Sequence, residues 1–151
     1  MNQETGRAGI FWLGLHHKFF GGKESPQHLK TGKRGEQLAC KFLRSHGYKI
    51  LYRNFKSRRG GEIDVVCRDR DTLVFVEVKT RTREDFGRPL DAVNREKRNR
   101  IARGGLAWLS LLDDPDILFR FDVVEVIIAD DAEPRLEILQ NAFSLPKPYI
   151  Y

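Results

Sequence analysis

The sequence of 151 residues predicts an α/β protein in which a mixed β-sheet is flanked by helices, in the order α-β-β-β-α-β-β. Short runs of branched and aromatic residues, each bounded by polar or turn-forming residues, predict the strands. Two longer segments with apolar residues at helical spacing predict the helices. Because the second helix stands between the third and fourth strands, it provides the crossover that a parallel strand pair needs.

The first thirty residues differ in composition from the rest of the chain. They combine glycines and a proline with polar residues and show no sustained hydrophobic period. We therefore expect residues 1–30 to be a flexible N-terminal extension and residues 31–151 to form the domain. The apolar segment Ile10–Leu15 is too short for the core of a signal peptide, and no apolar run approaches the roughly 20 residues that cross a bilayer.

The first helix and strand follow directly. Apolar residues recur at helical spacing from Leu38 to Leu43, and Gly47 ends the pattern, which predicts a helix over Thr31–His46. A strand over Tyr48–Phe55 comes next. The basic turn Lys56–Gly61 then leads into two strands that carry unexpected charges.

These two strands form a predicted β-hairpin. Ile63–Cys67 and Leu73–Val78 are strongly apolar, and the short polar segment between them is turn-like. If the turn is symmetric about Arg70-Asp71, with a loop of two or four residues, Asp64 faces Glu77. A turn with an odd number of residues would change this register.

The hairpin therefore groups three charged residues. Opposed side chains have Cβ atoms roughly 4.5 to 5.5 Å apart, and at an effective dielectric of about 20 two carboxylates at that distance repel by roughly 3 kcal/mol. A divalent cation between Asp64 and Glu77 would reverse the sign. Lys79 lies two residues beyond Glu77 and points to the same face. Carboxylates suit Mg²⁺ or Mn²⁺, and the lysine suits a water or a charged phosphate beside the metal. A structural cluster of ion pairs is the alternative.

The remaining elements complete the predicted order. A helix is expected over Asp91–Leu112, with Asp91 as its N-cap, and its paired glycines Gly104-Gly105 suggest tight packing or a bend. Apolar segments predict strands over Phe119–Ala129 and Arg135–Leu139. The order allows the fourth strand to run parallel to the third.

Charge and cysteine content narrow the class of function. The formal net charge is +6 and the sequence pI is near 9.5, which favours a polyanionic partner such as nucleic acid. Basic residues after the third strand and early in the second helix are predicted to contact backbone phosphates, unless they form a solvated surface: Arg81, Arg83, Arg88 and Lys97. Cys40 and Cys67 are predicted core residues, which suits a reducing cytoplasm, and the four histidines lack the spacing of zinc ligands.

Several motifs also resemble a known family. They are Gly35-Glu36, Gly47-Tyr48, Arg53-Asn54, Gly61-Glu62-Ile63-Asp64, Phe75-Val76-Glu77-Val78-Lys79-Thr80-Arg81, Lys97-Arg98 and Arg120-Phe121-Asp122-Val123-Val124. Together they resemble the YraN-like family of proposed bacterial endonucleases. That family is similar to the PD-(D/E)xK nuclease superfamily and, within it, to archaeal Holliday junction resolvases.

The resemblance implies a restriction-endonuclease-like fold and a role for each acidic residue. It implies Asp64 and Glu77 as ligands of Mg²⁺ or Mn²⁺, Lys79 as the catalytic lysine, and Glu36 as a residue that completes the metal site. The alternative for Glu36 is a glutamate favoured by the start of a helix. Ile63 stands where the superfamily motif has proline. DNA, including branched or junction DNA, is the implied substrate, and a homodimer is one implied assembly.

Three functions follow as hypotheses. The leading one is a cytoplasmic metal-dependent endonuclease that cleaves DNA with a metal-activated water. The alternatives are a nucleic-acid-binding module that keeps the fold without turnover, and an adaptor that acts through aromatic residues of the N-terminal extension. Asp122, an acid inside an apolar strand, is expected to be structural or to support Lys79.

Overall fold

The computed structural model describes residues 27–82, 93–113 and 116–151. Their elements, in chain order, are α1 Gln27–Ser45, β1 Lys49–Lys56, β2 Glu62–Asp69, β3 Thr72–Arg81, α2 Arg95–Leu109, β4 Phe119–Ile127 and β5 Arg135–Phe143. The strands form one five-stranded sheet in the order β1-β2-β3-β4-β5. The β3–β4 pair is parallel and the other pairs are antiparallel. The predicted α/β class, element order and mixed sheet are confirmed, and the arrangement is consistent with a restriction-endonuclease-like fold.

The sheet has a core on each face. On one face, Ala39, Cys40 and Leu43 of α1 pack against valines of the central strands. On the other face, Ile101 and Trp108 of α2 pack in a second apolar cluster. Because β3 contributes buried side chains to both clusters, it is covered on both faces, as its continuous apolar sequence predicts. Both cysteines are buried and unpaired, as expected.

Most element boundaries differ from those predicted, for example the end of α2 at Leu109 and of β4 at Ile127, and three of them differ by four residues. Helix α1 begins at Gln27, since the sequence has no helix-breaking residue between that position and Thr31. Helix α2 begins at Arg95, where the Asn94 side chain accepts a hydrogen bond from the Lys97 amide at 2.9 Å. The predicted cap, Asp91, lies outside the described residues.

Strand β5 continues to Phe143, beyond the predicted end at Leu139. Gln140 and Asn141 are poor strand formers, but Asn141 adopts a positive φ of 51° where the β4–β5 register shifts. The irregularity absorbs these residues and lets the strand resume, so that Phe143 pairs with Phe121.

Glycines set how closely the helices approach the sheet. A Cβ atom at Gly61 would clash with the backbone at Arg103 and Gly104, and one at Gly104 would press on the Ile63 side chain. The predicted tight packing at Gly104 is therefore confirmed. On the opposite face, a Cβ atom at Gly35 would overlap the Thr80 side chain, so α1 also lies close to β3. No helix in the described ranges is both long enough and apolar enough to span a membrane.

Candidate metal centre

The predicted hairpin register is correct. Strands β2 and β3 pair from Asp69–Thr72 to Val65–Val76. The turn has two residues, Arg70 and Asp71, and Arg70 adopts the positive φ that tight hairpin turns require. Extending this register by one residue sets Asp64 against Glu77.

The regular pairing of β2 with β3 ends at Val65, and beyond it the Asp64 side chain bonds to the backbone of β3. Asp64 Oδ2 accepts a hydrogen bond of 2.8 Å from the backbone N–H of Val78 on β3. A strand N–H that the ladder no longer satisfies is therefore bound by a carboxylate. This contact fixes Asp64 across the gap between the two strands, next to Glu77.

Glu77 is the most unusual carboxylate of the group. Glu77 is only 5% exposed. Its Oε1 lies 3.1 Å from Nζ of Lys97, which projects from the first turn of α2. Its Oε2 is buried and receives no hydrogen bond from any residue that the structure describes. Burial raises the pKa of Glu77 to about 8; the Asp64 carboxylate, which lies within hydrogen-bonding reach when one of the two groups is protonated, adds to this rise, and Lys97 opposes it.

The chemistry of this pair fits a hard divalent cation. Asp64 and Glu77 supply oxygen ligands of the type that Mg²⁺ and Mn²⁺ prefer, and Glu77 Oε2 has a lone pair without a donor. Within the described ranges, no group of three or more His, Cys, Asp or Glu side chains could hold a metal ion. An ion at the Asp64–Glu77 pair would therefore complete its shell with waters and substrate oxygens, which is usual for Mg²⁺.

Glu36 on α1 interacts electrostatically with Asp64, but among the described residues it does not join Asp64 and Glu77 in a group able to hold a metal ion. It is half-buried, and burial raises its pKa, with a further rise from the Asp64 carboxylate. A hydrogen bond with the Asn54 side chain opposes the shift. The structure thus brings Glu36 within the electrostatic influence of Asp64.

The basic residues predicted to act at the site differ in their ion-pair partners. Lys79 follows Glu77 on β3 and forms no ion pair with a described residue, so its ammonium group is available to a ligand. Arg81 Nε lies 2.8 Å from Oε1 of Glu125 on β4. Lys97 lies 3.1 Å from Glu77 Oε1, and its predicted contact with phosphate stays a prediction. Arg83 and Arg88 lie outside the described residues.

Sequence reasoning overlooked Glu125. It is an acid inside the apolar strand β4, it is buried, and it stands beside Lys79 in the parallel ladder. The same signal, a charged residue in an apolar strand, had drawn attention to Asp122. Asp122 instead binds Arg120 through both carboxylate oxygens, at 3.0 and 3.1 Å, so the structural interpretation of Asp122 is confirmed.

Comparison with known proteins identifies relatives that share this region. The model of the family described as "Uncharacterised protein family UPF0102" matches residues 35–126, which include Glu36, Asp64, Glu77, Lys79 and Lys97. A "UPF0102 protein" of Trichlorobacter lovleyi is 46% identical over 116 residues, which are 76% of this chain and 91% of the relative. One of Geobacter metallireducens is 46% identical over 119 residues, 78% of this chain and 96% of the relative. One of Nocardia farcinica is 45% identical over 112 residues, 74% of this chain and 87% of the relative.

Proposed function

This chain belongs to the uncharacterised protein family UPF0102, the YraN family that its motifs resemble, and we propose that it is a metal-dependent endonuclease acting on DNA. The single observation that carries the proposal is the state of Glu77. A buried carboxylate beside a second carboxylate, with one oxygen that has no donor among the described residues, is costly in its charged form unless a proton or a bound cation neutralises it. A divalent cation is the ligand that both carboxylates would accept together.

The residues of the proposed site have complementary tasks. Asp64 and Glu77 would hold the cation, and the contact from Val78 N–H keeps Asp64 in place. When bound, the cation lowers the pKa of a coordinated water and stabilises charge on the phosphodiester. Lys79, free of any ion pair with the described residues, donates to the attacking water or to a phosphate oxygen. Glu36 contributes negative charge on the α1 side, which strengthens attraction for the cation.

A purely structural cluster explains these contacts less well. In such a cluster each buried oxygen normally has a donor, and like charges are kept apart. Here Asp64 raises the pKa of Glu77, which means that the two carboxylates destabilise each other's charged forms. The cluster therefore costs folding free energy, and function is the usual reason that proteins keep such arrangements.

The proposal is tested by titrating Mn²⁺ into the wild-type protein and into Asp64→Asn by calorimetry. Cleavage of single-stranded, duplex and four-way junction DNA is followed in parallel. We expect metal uptake and cleavage in the wild type and neither in Asp64→Asn, whose amide oxygen can still accept from Val78 N–H. Asp131→Asn, in an exposed turn, is the matched control and keeps both activities. A wild-type protein that cleaves none of these substrates contradicts the proposal.

A second candidate function is DNA binding without turnover. The contact between Lys97 and Glu77 favours it, because the ammonium already supplies a cation to the buried carboxylate. This candidate predicts DNA affinity that does not change with Mn²⁺ and that survives Asp64→Asn. The same binding curves, measured with and without Mn²⁺, therefore separate the two functions.

A further inference from the structure

The turn that joins β1 to β2 is unusually well fixed. Ser57 N–H donates to the Gly61 carbonyl at 2.8 Å, and Gly61 N–H returns a hydrogen bond of 2.9 Å to the Ser57 hydroxyl. Gly60 N–H also donates to the Ser57 carbonyl at 3.2 Å, and Gly60 has a positive φ of 73°, which glycine adopts without strain. The conformation of this turn, Ser57–Gly61, is thus determined by its own contacts.

Helix α2 holds the turn against the domain. The Gly61 backbone touches the backbone at Gly104 so closely that a Cβ atom would not fit. Arg103 donates through Nη2 to the Gly60 carbonyl at 3.3 Å and through Nη1 to the Tyr149 hydroxyl at 3.2 Å. The turn is therefore anchored to a helix and to the C-terminal segment.

This fixed turn carries two arginines whose charge is not compensated. Arg58 and Arg59 are exposed, and neither forms an ion pair with a residue of the described ranges. The acid nearest in sequence, Glu62, is already approached by Lys56 at 3.6 Å and by Arg100 at 4.0 Å. Two guanidinium groups on a rigid support suit a partner with regularly spaced negative charges.

Helix α2 contacts both the turn and the candidate metal centre. Lys97 contacts Glu77, Arg100 approaches Glu62, and Gly104 contacts Gly61. Lys97 and Gly104 are seven residues apart, which corresponds to about 10 Å along a helix.

We infer that the turn Ser57–Gly61, through Arg58 and Arg59, is a metal-independent docking surface for the phosphate backbone of DNA. It binds phosphates about 10 Å from the candidate metal centre, which is the length of seven residues of α2. Contacts of this kind fix the register of the strand without reading its bases. The inference rests on the proposed function, because it places the surface relative to a bond to be cut.

The test measures DNA affinity in EDTA, where the metal centre does not contribute. Fluorescence anisotropy with a labelled duplex and a labelled four-way junction is recorded at salt concentrations from about 50 to 200 mM. The variants are R58A/R59A and the matched control K41A/R44A, which removes the same charge from exposed positions on α1, on the opposite face of the sheet. Calorimetry with Mn²⁺ accompanies each variant.

We expect R58A/R59A to bind on the order of tenfold more weakly at low salt and to reduce the slope of log affinity against log salt by about 1.8, since each lost phosphate contact removes about 0.9. R58K/R59K keeps most of the slope, and Mn²⁺ binding is unchanged in all variants. Suppose that the wild type binds Mn²⁺ and cleaves DNA. An unchanged slope in R58A/R59A, or an equal loss of DNA affinity in K41A/R44A, then overturns the inference but not the proposed function. A wild type that binds no DNA overturns the proposed function together with the inference.

Discussion

Two acids lie buried in neighbouring central strands, and their surroundings are opposite. Asp122 on β4 is fully buried, and Arg120 Nε reaches both of its oxygens while the Asn141 N–H adds a third hydrogen bond at 2.8 Å. Glu77 on β3 is nearly as buried, but among the described residues it contacts one cation, lies beside the like-charged Asp64 and has one oxygen without a donor. The charge of Asp122 is paired within the protein, whereas one oxygen of Glu77 has no donor among the described residues.

The network around Asp122 explains why it is stable without a ligand. Arg120 Nη2 also binds the Asp69 carboxylate at 2.9 Å and the Tyr48 hydroxyl at 3.0 Å, and Gln140 donates to the same hydroxyl at 2.6 Å. The network thus ties the hairpin turn end of β2 to β4 and β5. A buried charge held by several donors secures the fold, and a buried charge short of donors indicates a binding site.

The largest effect on stability is expected at Asp122. In Asp122→Ala, Arg120 loses its main partner in a half-buried network, and we expect the free energy of unfolding to fall by about 3–5 kcal/mol. Urea denaturation followed by circular dichroism measures this loss. Asp131→Ala, in an exposed turn, is the control and should stay within about 0.5 kcal/mol of the wild type. A loss below about 1 kcal/mol in Asp122→Ala would remove the contrast between the two acids.

A smaller effect is expected at Lys97. In Lys97→Met the Glu77 carboxylate loses the one cationic contact that it makes with the described residues, and we expect the free energy of unfolding without metal to fall by about 2 kcal/mol. Proton uptake by Glu77 limits the loss, because its pKa is already raised. Mn²⁺ should then stabilise Lys97→Met more than it stabilises the wild type, since the ion no longer competes with an ammonium group.

Thermal melting with and without Mn²⁺ measures this difference. Arg95→Met is the control, because it removes a charge from an exposed position in the same helical turn. Equal metal-induced shifts in melting temperature for Lys97→Met and the wild type would show that Lys97 does not share the site with the cation.

The smallest effect concerns pH. Because the pKa of Glu77 is raised on folding, the folded protein binds more protons than the unfolded chain above the ordinary glutamate pKa of about 4.3. Stability without metal should therefore fall as pH rises from that value through the raised pKa of Glu77. Glu36 and Asp122, whose pKa values are also raised by burial, contribute in the same direction.

Urea denaturation over this pH range measures the dependence. It should be weaker in Glu77→Gln, which cannot ionise and no longer faces Asp64 with a like charge. The rise in Mn²⁺ affinity with pH is the counterpart in the wild type, because the cation and the proton compete for the same oxygens. A stability profile of Glu77→Gln that matches the wild type would assign the pH dependence to other groups.

The hairpin was predictable because its rules are local. Two apolar strands joined by a short turn allow only a few registers, and side-chain alternation then places Lys79 with Glu77. The resemblance of Gly61-Glu62-Ile63-Asp64 and of the Glu77 segment to nuclease motifs agrees with that geometry. The class of fold followed in the same way from the order of apolar segments.

The partners of the site residues were not predictable, because they depend on how distant elements cross. Lys97 reaches Glu77 only because Gly104 and Gly61 let α2 lie against the start of β2. Arg81 meets Glu125 only because β4 is parallel to β3 in this register. Neither relation is encoded by periodicity within one element. Likewise, Asp91 was predicted as the N-cap of α2 and the structure has Asn94 there, because Asp and Asn suit that position almost equally.

The most direct test is a calorimetric titration of Mn²⁺ into the wild type and into Glu77→Gln, with both proteins shown to be folded by circular dichroism. We predict Mn²⁺ uptake by the wild type and its loss in Glu77→Gln, because Glu77 Oε2, which has no donor among the described residues, is the proposed metal ligand. Equal uptake by the two proteins, or no uptake by the wild type, would contradict the assignment of the Asp64–Glu77 pair as a metal centre.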